Sequence, residues 1–116
     1  MNNLTTGQLA HHAATIVYSQ YAGANTAHDI EEALDSHAAR RLRGFTGLLQ
    51  TRVRAYLIHK LVPADTMKLP AHQCWHETRE IIGTHLDNEA NVKALKPIIN
   101  ILAYEISAEY RAEANQ

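Results

Sequence analysis

Apolar residues in this 116-residue chain recur at helical intervals almost from end to end, and glycine or proline falls between the runs. That punctuation limits what the chain can fold into more than any motif does. Leu9, Ala13, Ile16, Val17 and Gln20 share one stripe of a helix predicted over about Thr6 to Tyr21, with Gly23 placed for a left-handed C-terminal cap. Thr26-Ala27-His28-Asp29 has the spacing of a capping box, with Asp for the usual Glu, so a second helix is expected to start there. Ile30, Ala33, Leu34, His37, Ala38 and Leu42 fall on its inward face, and Gly44 ends it.

Thr46 is expected to cap a third helix reaching about Leu61, with Leu49, Val53, Tyr56, Leu57 and Leu61 as its stripe and Pro63 as its stop. Residues 63–69 read as a loop. Pro70 suits a first helical position, opening a fourth helix with Ala71, Trp75, Thr78, Ile82, His85 and Leu86 inward. Asp87 or Asn88 then caps the last element, where Val92, Leu95, Ile99, Leu102 and Ile106 keep helical phase across Pro97. An interior proline costs about 3 kcal/mol, so a break with a new helix starting at Pro97 is expected.

Alanine and leucine dominate and valine is scarce, a mix that loses little rotamer freedom in helices. The expectation is an all-α fold, an irregular bundle of five to six helices without a sheet. It forms one domain over residues 1–116, with the first, third and last helices gathered around Trp75. The lone cysteine, Cys74, excludes an internal disulfide and suits a reducing compartment. The first residues carry no basic, apolar leader, and no run approaches bilayer length, so a cytoplasmic protein with no membrane partner is expected.

Charge is parcelled along the chain. Residues 1–37 carry only acids (Asp29, Glu31, Glu32, Asp35), whereas residues 38–68 carry seven basic groups (Arg40, Arg41, Arg43, Arg52, Arg54, Lys60, Lys68) against Asp65. The remainder returns to acid, so a formal net charge of -1 hides a strong segregation. Such patterning bears on partner choice and association rate rather than on fold.

Two imidazoles one turn apart can chelate an ion. His72, His76 and Glu80, at i, i+4 and i+8, are therefore the best metal candidate, though they lie on a face expected to be solvated. They lack the His-Glu-x-x-His order of zinc proteases. His11 and His12 diverge by about 100° on a helix, and His72 and His76 sit two residues from Cys74, about 200° away, so neither grouping makes a site. His28-Asp29 is only the two-residue doublet of a phosphohydrolase. No nucleophile constellation or phosphate-cradling glycine loop is recognisable, so no enzymatic activity and no cofactor are expected.

The arginines at 40, 41, 43, 52 and 54 bracket Gly44-Phe45-Thr46-Gly47, expected to be a turn between two helices. Guanidinium groups beside such a turn would form an edge suited to anionic partners. The leading expectation is a small non-enzymatic protein–protein binding module, an adaptor or a stoichiometric inhibitor that occludes a partner's surface. Arg40, Arg41, Arg43, Arg52, Arg54 and an exposed Tyr18 are its contact residues, and a second copy of the chain is a further candidate partner. The first alternative is a nucleic-acid-binding domain using the same helix-turn-helix-like edge. The second is a histidine-based metal-binding protein.

Overall fold

A computed structural model describes residues 4–114, which form six helices and, among the described residues, no strand. They are α1 (Thr6–Ala22), α2 (Ala27–Glu32), α3 (Ser36–Leu61), α4 (Ala64–Met67), α5 (Ala71–Leu86) and α6 (Glu89–Ala114). None is long and apolar enough to cross a membrane. The all-α expectation holds.

Helix α1 is set at both ends by local chemistry. The Gln8 amide donates to Thr5 Oγ1 at 3.1 Å, and the Thr5 amide donates back to Gln8 Oε1 at 2.9 Å, a capping box one turn long. At the other end Gly23 takes φ 79, the left-handed conformation that glycine adopts without steric cost, and its N–H donates to the Ser19 carbonyl. Asn88 starts α6, its Oδ1 accepting from the Ala90 amide at 2.9 Å.

The core is built by α1, α3 and α6. Leu9, Ala13 and Val17 from α1, Leu42, Leu49 and Val53 from α3, and Ile99 and Ala103 from α6 are almost fully buried in one contiguous cluster. Each large aliphatic side chain so buried contributes about 1.5–3 kcal/mol of transfer free energy. Helix α1 packs most extensively on α6 and then on α3. Alanines at 10, 13, 14 and 103 supply the small side chains of that seam.

Five sequence expectations are corrected. The second helix does not run to Gly44: it stops at Glu32, and a new helix starts at Ser36, where Asp35 Oδ1 accepts from the Ala38 amide at 2.8 Å. That cap moves the boundary nine residues upstream of Gly44 and leaves His37 exposed in the first turn of α3. Gly44 and Gly47 then lie inside a continuous 26-residue helix. Two interior glycines cost about 1 kcal/mol each, which burial of Leu42, Phe45, Leu49, Val53 and Leu57 outweighs. The second helix does start after Thr26 as expected, but the Thr26 side chain makes no capping bond, and its hydroxyl donates instead to Ser19 Oγ at 3.0 Å.

Pro97 likewise sits inside α6 without breaking it. Proline there removes the hydrogen bond to the Lys93 carbonyl and sets its ring against that carbonyl. Both residues are exposed, while Leu95 and Ile99 on either side of Pro97 are buried, so the continuous stripe prevails. Within 63–69, four residues wind into the single turn α4. Finally, the bundle does not centre on Trp75. Helix α5 lies outside the three-helix core and buries only Thr78, and Trp75 is 58% exposed.

Candidate functional site

A continuous α3 redistributes the arginines. With about 100° per residue, Arg41 and Arg52 share one flank while Arg43 and Arg54 share another. The first flank meets the end of α6. Arg41 Nη2 donates to Tyr110 Oη at 3.3 Å, with its guanidinium 5.5 Å from that ring's centroid, and Arg52 Nη2 donates to Glu109 Oε2 at 2.6 Å. Tyr110 in turn meets the edge of Phe45 at 6.5 Å between centroids. On the other flank Arg43 approaches Glu31 of α2 at 3.9 Å. Arg40 is exposed. Thus Arg41, Arg43 and Arg52 are engaged within the molecule, and the five arginines do not form one edge. The Gly44–Gly47 turn expected of a helix-turn-helix is the middle of α3, so that segment presents no helix N-terminus to a phosphate.

Arg54 has a different setting. It stands in the wall of a cleft of about 480 Å³ between α3 and α5, together with Leu57 and Ile58 of α3, Trp75, Arg79 and Ile82 of α5, and Tyr21 of α1. The Arg79 guanidinium stacks 4.5 Å from the Trp75 ring. Neither Arg54 nor Arg79 lies within ion-pair distance of a carboxylate among the described residues. Burial pushes the Tyr21 phenol above its ordinary pKa, and the Arg54 charge works against that rise. Thr78, in the same wall, has a buried hydroxyl with no hydrogen-bond partner; Thr46 holds the other such hydroxyl among the described residues.

The local reason for the cleft is the composition of α5. Its apolar stripe consists of Ala71, Trp75, Ile82 and Leu86, flanked by His72, His76, Arg79 and Glu80. Ile82 and Leu86 reach the core cluster as half-buried side chains, which anchors the C-terminal half of the helix. Trp75, two turns earlier, overhangs the edge. Sequence reasoning placed Trp75 on the right face but at the wrong depth; the polar residues on either side of it were the available signal.

The remaining candidates stay apart. Tyr18 is half-buried rather than exposed, packed on the core with Lys96 Nζ 5.3 Å above its ring. It lines a groove of about 460 Å³ between α1 and α6 with His11, Lys96, Asn100 and Tyr104. His76 Nε2 lies 3.4 Å from Glu80 Oε1 on the exposed side of α5, and among the described residues no three His, Cys, Asp or Glu side chains converge as metal ligands. His28 forms a similar i,i+4 pair with Glu32 at 3.2 Å. Cys74 is half-buried. His12 is also half-buried, which lowers its pKa, and neighbouring His11 lowers it further.

No family model matches the chain, and no curated protein or solved structure matches it either.

Proposed function

We propose that this protein is a small non-enzymatic binding module that recognises another protein through the cleft between α3 and α5. It acts as an adaptor or as a stoichiometric inhibitor that occludes its partner's surface. The observation that carries this reading is Trp75, left 58% exposed beside an apolar wall on a helix that buries only Thr78. Covering what remains exposed of a tryptophan contributes on the order of 3 kcal/mol, and aromatic residues with arginine are the side chains that dominate binding hot spots. Trp75 and Arg79 form such a pair, stacked and presented together. Of the five midsection arginines, Arg54 belongs to this surface; Arg41, Arg43 and Arg52 are held by intramolecular partners.

The test uses tagged protein to capture polypeptides from an extract of its own cells, followed by titration of each purified candidate in a calorimeter. A true partner binds the unaltered chain and the Leu48→Ser control, which changes an exposed apolar side chain outside the cleft. It binds Trp75→Ala at least tenfold more weakly. Equal affinity of Trp75→Ala and the unaltered chain for every captured polypeptide overturns the assignment.

A further inference from the structure

The walls of the α3–α5 cleft specify more than a protein partner. We infer, building on the protein-binding reading, that the cleft takes a short amphipathic helix of the partner bearing carboxylates along one flank of its apolar face. The floor is aliphatic, from Leu57, Ile58 and Ile82, and both exposed cations of the site, Arg54 and Arg79, stand in its walls. An apolar groove of this kind accepts the i, i+3/i+4, i+7 side chains of a docked helix.

The length fits. Trp75 to Gly83 on the α5 wall rises about 12 Å at 1.5 Å per residue, so roughly two to three turns of a partner helix fill it.

Charge decides between occupants. Elsewhere Arg43 and Arg52 have carboxylate neighbours, at 3.9 and 2.6 Å, whereas Arg54 and Arg79 have none among the described residues. The Arg79 guanidinium carbon lies 4.5 Å from the centroid of the Trp75 ring, and a guanidinium's forked N–H donors match the geometry of a carboxylate. A second copy docking face to face would set Arg54 and Arg79 against the same two cations, because a two-fold contact presents one patch to itself. A phosphate chain would meet the cations but leave the aliphatic floor uncovered.

Trp75 is the only tryptophan, so its emission reports on the cleft directly. The probes are two synthetic twelve-residue peptides held helical by a hydrocarbon staple, with the same leucine stripe and either glutamates or lysines flanking it. The glutamate peptide is expected to shift Trp75 emission to the blue, to saturate, and to bind at least tenfold more tightly than the lysine peptide. Its affinity falls as salt rises, and the double variant Arg54→Glu/Arg79→Glu inverts the order of the two peptides with helicity unchanged by circular dichroism. Equal binding of the peptides, tighter binding of the lysine peptide, or no binding of either overturns the inference. A blue shift that follows protein concentration alone identifies a second copy and also overturns it. The peptide pair decides on the unaltered chain, whatever the variant does. If neither peptide binds while Trp75→Ala still loses the native partner, the acidic helix fails and the protein-binding reading stands.

Discussion

Trp75 and Leu49 are both large apolar side chains, yet the solvent sees them differently: Leu49 is fully buried and Trp75 is 58% exposed. Leu49→Ala is therefore expected to lower unfolding free energy by about 2–5 kcal/mol. Trp75→Ala should lower it by less than about 1 kcal/mol, both measured by urea denaturation. A large loss at Trp75 would mean that it supports the fold rather than a contact surface. His12 gives a pH prediction. Its folded pKa lies below the ordinary imidazole value of about 6.5, so below that pH the unfolded chain takes up a proton that the folded chain resists. Stability is complete above that range and declines as pH falls through it towards the depressed folded value. His12→Asn should flatten this decline between neutral and mildly acidic pH, in denaturation midpoints taken across that window.

Helix boundaries depend on competing local signals, and here the competition is visible at Gly44, Gly47 and Pro97. An added Cβ at Gly44 or Gly47 meets nothing within 4 Å, and both positions are exposed in mid-helix. Gly44→Ala and Gly47→Ala are each expected to raise stability by about 0.5–1 kcal/mol, read as a higher melting temperature; a fall at either would contradict a continuous α3. The same two glycines explain how far the sequence was legible. Helical phase along Leu9 to Val17, Leu49 to Leu57 and Val92 to Ile106 identified the three core helices, because side chains that must be buried together reveal their period. Breaks were less legible. Gly44 carries the ordinary signature of a helix end, and only the apolar residues on both sides, buried against α1 and α6, override it. The true break depends on Asp35, whose capping role is distinguishable from that of a surface acid only once Ala38 is known to be buried beside it.

Across the whole molecule, folding brings acids and a tyrosine onto three arginines of the basic middle. Arg41, Arg43 and Arg52 meet Tyr110, Glu31 and Glu109 from α6 and α2, which linear order could not reveal because Arg52 and Glu109 are 57 positions apart. That pair fastens the end of α6 to α3. Both side chains are partly exposed, so Glu109→Gln should cost no more than about 1 kcal/mol. The loss should shrink as salt rises, as checked by melting temperatures in dilute and concentrated sodium chloride.

Helix α5, by contrast, hangs on the assembly by one side. With so little surface committed to the core, its backbone amides should exchange with deuterium well before those of α1. Early exchange confined to α5 would mean that the outer wall of the cleft opens while the rest of the bundle stays closed, the condition for admitting a partner bulkier than the resting gap without melting the protein.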